Sequence, residues 1–311
     1  MRNIRSGRTH SIKRALPARF RRPSLLILGC GDVGLRIAAQ LAGRFKLYGT
    51  SRAPNVANFR ALQLRPVTLD LDQPPRQTRR SLNLAKWAIY LAPPPNAGDA
   101  DPRLAQFLAR WRGTRLTYIS TTGVYGDCGG AQFDETRAVA PASDRAKRRV
   151  AAESLIRCSG RRGIRSSILR APGIYAAERL PLDRLRAGTP ALIAADDVFT
   201  NHIHADDLAR LALTALMRAG SNRLFHAVDD SDLRMGDYFD LVADAFGLPR
   251  PPRLGASAVQ AVVSPALWSF MRESRRLLNQ RIKTDLRFAL RYPSVQDGIA
   301  AARAMPGLLQ S

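Results

Sequence analysis

Cysteine is scarce in this chain. There are three among 311 residues, Cys30, Cys128 and Cys158, and none belongs to a CxxC pair. An odd set without metal or redox spacing argues against a disulfide framework and points to a reducing cytoplasm, with each thiol a small apolar filler. No apolar run approaches the roughly 18 residues needed to cross a bilayer, so no integral membrane segment is expected. Acid is short too: 25 Asp and Glu face 49 Lys and Arg, a formal net charge of +24. Such a balance raises nucleic acid or an anionic membrane as partners. Its distribution weighs against both. Eight basic side chains and no acid fall in residues 1–22, and the remaining arginines are scattered through helical patterns. Zinc-finger spacing, basic-region heptads and aromatic-basic strand motifs are all missing. Residues 1–22 also lack the apolar centre of a secretion signal, and are read as a disordered basic tail or the result of a start placed too far upstream. No internal repeat or further low-complexity segment is visible.

What the chain does have is a short apolar run ending in three glycines. Leu25 to Leu28 reads as a strand buried on both faces, and Asp32 to Leu41 as the helix after it. Between them Gly29, Gly31 and Gly34 take the spacing G-x-G-x-x-G. The first glycine lets the chain turn, the second leaves no Cβ between backbone and a pyrophosphate, and the third lets helix and strand pack closely. The N–H groups at the start of the helix, with Asp32 and Val33 in its first turn, would face the phosphates. The bland alternative is an ordinary glycine turn.

Strand and helix then alternate. Strands are expected at Phe45–Thr50, Pro66–Leu71, Leu84–Ala92 and Arg115–Ser120, with a helix through Asn58–Gln63 that has Pro54 in its first turn and another from Asp101-Pro102 to Trp111. This pattern predicts an α/β fold, a doubly wound parallel sheet of Rossmann type with its ligand crevice at the carboxyl ends of the strands. Ser51, Arg52, Asp70, Leu91 and Ala92 lie at those ends and are further cofactor-site candidates. An NAD site places an acid about 20 residues past the glycines. Here Gly49-Thr50-Ser51-Arg52 carries none, and Arg52 could pair with a 2′-phosphate, which favours NADP over NAD.

The segment Ser120-Thr121-Thr122-Gly123-Val124-Tyr125-Gly126 resembles the "VYG" stretch of extended short-chain dehydrogenase/reductases, the NAD-dependent epimerase/dehydratase group. Leu169-Arg170-Ala171-Pro172-Gly173-Ile174-Tyr175, Asn201 to Ala209 and Phe225 to Asp230 are similar to later motifs of the same group. The resemblance spans residues 24–303 and implies a dinucleotide cofactor and a nucleotide sugar or small carbonyl as substrate. It also implies a Tyr-x-x-x-Lys pair for proton chemistry. Counting from Pro141 and Glu153 places the tyrosine position at Arg145 and the lysine position at Arg149. A guanidinium holds its proton at ordinary pH and cannot shuttle it. Thr121 matches the hydroxyl that the resemblance sets beside the reacting oxygen. Substitutes for the missing pair could be Ser143 with Lys147, Asp144, Tyr125 or Tyr175, although Ser143 reads better as a helix cap. The chain thus resembles atypical members of the superfamily. It is read as an unusual oxidoreductase or epimerase, with a non-catalytic NAD(P)-binding sensor or interaction protein as the alternative.

His202, His204, Asp206 and Asp207 could suggest a metal site, but the resemblance makes them structural, with His204 ending a strand and an aspartate capping a helix Leu208–Met217. No metal is expected. A strand at Val198–Ile203 should return to the sheet pattern. Residues 173–195 and 231–311 are assigned to a smaller, mostly helical lobe, with helices at Pro181–Ala187 and Met235–Phe246, a packed helix or a pair of helices broken near Pro265 over Ser257–Met271, and a last helix at Ser294–Ala304. Residues 24–172 and 196–230 form the NAD(P)-binding domain. Arg275 and Arg276 could hold a substrate phosphate or belong to a solvated face.

Overall fold

The computed structural model describes residues 22–73 and 78–305. Most of the basic segment at the start of the chain therefore lies outside the described residues. Seven strands make the central sheet: β1 Ser24–Leu28, β2 Lys46–Ser51, β3 Leu64–Thr68, β4 Trp87–Tyr90, β5 Arg115–Thr121, β6 Arg165–Ala171 and β7 Arg223–His226. Their order is β7-β6-β5-β4-β1-β2-β3, and every neighbouring pair is parallel. The expected doubly wound parallel sheet is present. Between β1 and β4 the chain reverses its direction of travel across the sheet, which opens a crevice at their carboxyl ends.

The unbroken apolar run of β1 is explained by cover on both faces. Leu25 and Ile27 pack into one core with Ile37, Ala38 and Leu41 of the Asp32–Leu41 helix and Leu208, Ala209 and Ala212 of the Ala205–Arg218 helix. Leu26 and Leu28 point the other way, into a second core with Leu104, Phe107 and Trp111 and with Ala152 and Ile156 of the Asp144–Ser159 helix. Period-two alternation separates the two sets. Pro66 sits on the edge strand β3, where a missing N–H costs no ladder bond.

Caps behave locally. Asp101 accepts from the Leu104 amide (2.9 Å) and Ser143 from that of Ala146 (3.3 Å), as anticipated. The helix after β2 runs Val56–Ala61 with Asn55 as its cap, so Pro54 precedes the cap and is not in the first turn. Two expectations fail for tertiary reasons. Val198–Ile203 does not rejoin the main sheet: Phe199–Thr200 pairs with Leu233–Arg234, and His202–His204 pairs with Gly173–Tyr175. Between them the buried Asn201 spends its amide on the Arg275 carbonyl and the Leu277 N–H (2.9 Å each), which ties the chain to a remote segment. The following helix starts at Ala205, and its cap is His204, whose Nδ1 accepts from the Asp206 amide at 3.2 Å. Asp207, expected near a cap, instead receives the amides of Arg291 and Tyr292 and anchors the C-terminal segment.

The smaller, mostly helical part packs Tyr238, Phe239 and Val242 of the Met235–Phe246 helix against Tyr175, Leu185, Val295 and Ile299. That helix stops at Gly247, whose φ of 65° is the left-handed geometry of a helix end. Helices Ala256–Val262 and Pro265–Met271 break at the expected place, and Val295–Arg303 follows. Among the described residues no helix is long and apolar enough to cross a membrane.

Candidate cofactor groove and adjoining pocket

The three glycines do three different things. Gly29 has φ of 90°, and a Cβ there would lie 2.9 Å from the Ala92 nitrogen. Its own N–H donates to Thr50 Oγ1 (3.1 Å), while the next amide, Cys30, donates to the Thr50 carbonyl (3.0 Å). A Cβ on Gly34 would come within 2.9 Å of the Gly29 carbonyl oxygen. Gly31 differs from both, because a Cβ built on it meets nothing within 4 Å. It begins the Asp32–Leu41 helix, and no side chain caps that helix. First-turn N–H groups have no intrahelical acceptor, so this end offers donors and a positive dipole to an anion.

Two cavities meet at this turn. One, of about 320 Å³, is lined by Gly29, Gly31, Asp32, Val33, Gly34, Leu91, Thr121, Arg145 and Arg149 together with Arg179 and Leu208. The other, of about 470 Å³, is lined by Ser51, Arg52, Asp70, Ala92 and Arg103 and shares Gly29, Gly31 and Leu91 with the first. The cofactor-site candidates, with Thr121, Arg145 and Arg149, therefore border one continuous groove across the ends of β1, β2, β4 and β5. Arg52 is exposed there. Arg103 clamps Asp72 through Nε and Nη2 at 2.6 Å each, which holds that carboxyl below its usual range. Asp32 is bound by Arg36 (2.7 Å) and Arg179 (3.2 Å), so its charge is balanced where an anion would approach. Cys30 is an inert filler, its thiol pushed up to about 12 by burial.

Thr121 ends β5 and accepts from the Gly123 amide at 3.2 Å, which leaves its own proton to donate. Arg145 and Arg149 rise from one face of the Asp144–Ser159 helix, four residues apart. Arg149 is fixed, donating to the Tyr118 hydroxyl and the Ile119 carbonyl at 2.9 Å each. Arg145 lies over the Phe270 ring (4.5 Å) and has no hydrogen bond or ion pair among the described residues. Desolvation and then the Arg149 charge lower its pKa, but an arginine starting from so high a value stays a cation.

None of the possible substitutes for the tyrosine and lysine borders the groove. Ser143 is the helix cap, and Lys147 and Asp144 pair with each other on the exposed side (3.2 Å). Tyr125 is buried against His226 Nε2 (2.6 Å), and Tyr175 donates to the Ser294 carbonyl (3.1 Å). The histidines and aspartates after residue 201 are likewise engaged separately: His202 packs on Tyr238, His204 on Tyr292, Asp206 binds Arg36 and Asp207 binds Arg210. Among the described residues no cluster of three His, Cys, Asp or Glu could hold a metal.

A third cavity, of about 250 Å³, continues from Thr121, Arg145 and Pro172 into the smaller lobe, where Arg184, His202, Tyr238 and Phe270 line it. Burial pushes His202 down to about 4. Its unfolded value is about 6.5, so as pH falls from there towards 4 the unfolded chain takes up a proton that the native one refuses, and stability is lost. The slope is about 1.4 kcal/mol per pH unit. His202→Phe should therefore gain about 2 kcal/mol on the native protein between pH 7 and 5, read from urea midpoints. A gap independent of pH would refute the assignment.

Sequence reasoning did not single out Thr50, Arg103, Arg179, Arg184 or Phe270. Another arginine carries no signal in a chain so rich in them, and these residues converge only through the fold. Arg276 is spent on Asp232 and the Phe199 ring. Arg275 is buried, bound to Glu273 and the Gly126 carbonyl at 2.7 Å each, and borders the third cavity.

No protein-family model matches the chain, and no curated protein does. Solved structures do. A conserved protein of unknown function from Silicibacter pomeroyi is 28% identical, with a TM-score of 0.78 over 91% of this chain and 98% of that one. A UDP-glucose 4-epimerase from Thermotoga maritima, solved with UDP-glucose, is 16% identical, with a TM-score of 0.73 over 90% and 97%. A dTDP-glucose 4,6-dehydratase from Streptomyces venezuelae, solved with NAD bound, is 19% identical, with a TM-score of 0.72 over 90% and 95%. At these identities the two enzymes share the fold with this chain.

Proposed function

We propose that the protein binds a nicotinamide dinucleotide along the groove that joins the two cavities at Gly31, and acts as an oxidoreductase or epimerase of unusual acid-base make-up on a nucleotide sugar or small carbonyl. The open position at Gly31, beside an uncapped helix start, carries the reading: it admits a diphosphate without any backbone movement. The likeness to a dehydratase solved with NAD supports it.

The groove residues divide the work. The amides at Asp32 and Val33 would hold the diphosphate, with Arg179 beside them. Ser51, Arg52 and Asp70 would hold the adenosine half, and Thr121 and Arg149 would border the nicotinamide half. When bound, the dinucleotide supplies or accepts a hydride. Thr121 would donate a hydrogen bond to the substrate oxygen and Arg145 would stabilise negative charge developing on it as a fixed cation. Neither gives up a proton of its own to solvent, so the proton that completes an alcohol comes from water. Arg145 also supports a second reading, a dinucleotide-binding sensor without turnover, because among the described residues no phenol or amine borders the groove beside it.

Calorimetry with oxidised and reduced NADP and NAD tests binding. Both NADP forms should bind more tightly than their NAD counterparts. Arg52→Ala should weaken NADP by about tenfold through the lost phosphate pair and leave NAD unchanged. An unaltered preference removes Arg52 from the site, and no binding of any form at millimolar concentration removes the proposal. Transfer of label from deuterated cofactor to a carbonyl compound separates the enzyme from the sensor.

A further inference from the structure

We propose that the third cavity takes a small substrate bearing a carboxylate or phosphate group, and that Arg145 and Arg184 hold that group. The placement of the substrate beside the nicotinamide end rests on the dinucleotide reading above; the anion site itself does not.

Charge in this cavity is not balanced by the protein. Its lining holds three guanidinium groups, Arg145, Arg184 and Arg275, against one carboxylate, Glu273. Arg275 and Glu273 satisfy each other at 2.7 Å, and both side chains are about a tenth exposed. The remaining two cations have no acidic partner among the described residues. Arg184 stands over the Phe239 ring at 4.1 Å and donates only to the Pro190 carbonyl (3.1 Å) and Met271 sulfur (3.5 Å). Among the described residues Arg145 makes no hydrogen bond; it lies against the Phe270 ring and feels the Glu273 carboxylate only through space.

An enclosed guanidinium without a counter-ion is costly, and burial has already drawn Arg184 down to about 10. The buried Phe239 ring under half-buried Arg184 keeps water from that side of the guanidinium, which strengthens its attraction to an incoming oxyanion, whereas Arg145 and Phe270 form the solvent-facing side through which the anion enters. Stacking on a ring leaves the N–H groups in the guanidinium plane free for planar recognition of a carboxylate or for several oxygens of a phosphate. Size narrows the class. A volume of about 250 Å³ falls under the roughly 300 to 1,000 Å³ of sites for drug-sized ligands, which suits a compact oxyanion better than a complete nucleotide sugar. Arg145 borders both this cavity and the cofactor groove, so the bound anion would lie next to Thr121.

Ligand-observed NMR on the native protein, with and without saturating dinucleotide, tests this with four probes: pyruvate against acetone, and dihydroxyacetone phosphate against dihydroxyacetone. At least one charged probe should bind in the low millimolar range or better while its neutral counterpart does not, and the one that binds decides between carboxylate and phosphate. Arg184→Met and Arg145→Met, which keep the contact with the rings, should each weaken that probe by at least about tenfold. UDP-glucose serves as the competitor of different class. The proposal is overturned if neither charged probe binds at about ten millimolar, if the neutral probes bind equally, or if affinity ignores both substitutions. Binding that depends on Arg184 in a protein that takes up no dinucleotide would sink the cofactor reading and leave this one standing.

Discussion

Gly31→Val should leave the protein folded and weaken dinucleotide binding by about a hundredfold, whereas Gly29→Ala should unfold it more readily at the same urea concentration. The two positions are neighbours in one turn, so the contrast isolates the reason for each glycine. Gly31 has φ of −79°, which any residue adopts, and a Cβ there meets nothing within 4 Å. Losing glycine at a helix cap costs about 1 kcal/mol at most. The valine side chain would instead stand where a diphosphate must approach the amides, and a hundredfold loss corresponds to about 2.7 kcal/mol of binding. Gly29 has φ of 90°, and its Cβ would strike the Ala92 nitrogen at 2.9 Å. A left-handed backbone for a side-chain-bearing residue and the overlap together cost about 2 to 4 kcal/mol. Denaturation curves and calorimetry on the two variants check both halves. Equal affinity in Gly31→Val and the native protein would show that nothing uses the open position.

The second large effect lies beneath the groove. Glu153 and Arg170 join the Asp144–Ser159 helix to β6 through two bonds of 2.9 and 2.6 Å, and both side chains are 3% exposed. Ser120 donates to the same carboxylate at 2.7 Å, so the end of β5, which carries Thr121 into the groove, is tied into the pair. Arg170 also lies over the Tyr125 ring at 4.6 Å, and Arg170 Nη1 is buried without a hydrogen-bond partner in the described structure. Glu153→Ala would leave this guanidinium buried without its acid, at a cost of about 3 to 5 kcal/mol. The double variant Glu153→Leu with Arg170→Met removes both charges and should cost less than Glu153→Ala alone. Urea denaturation of the three proteins decides it. A double variant no more stable than Glu153→Ala would mean that the unpaired guanidinium is not what the single substitution costs.

The sequence by itself determined whatever depends on neighbours in the chain. The glycine spacing, the strand before it, the helix after it, the caps at Asp101 and Ser143 and the end at Gly247 are short-range devices whose geometry a few residues dictate, so they were legible without the fold. From them came the parallel sheet and the groove, with the cofactor-site candidates along its border. Tertiary structure alone decided the rest. It gave the cap to His204 and sent Asp207 to the amides of residues 291 and 292, a contact spanning more than 80 positions. It split Val198–Ile203 between two small sheets, and it drew Tyr125, Tyr175, Lys147 and Asp144 away from the groove. It also assembled Arg145, Arg184 and Arg275 around one cavity from three distant segments. A guanidinium looks the same in sequence whether it meets a carboxylate, a ring or nothing, and only the packing of remote elements determines which.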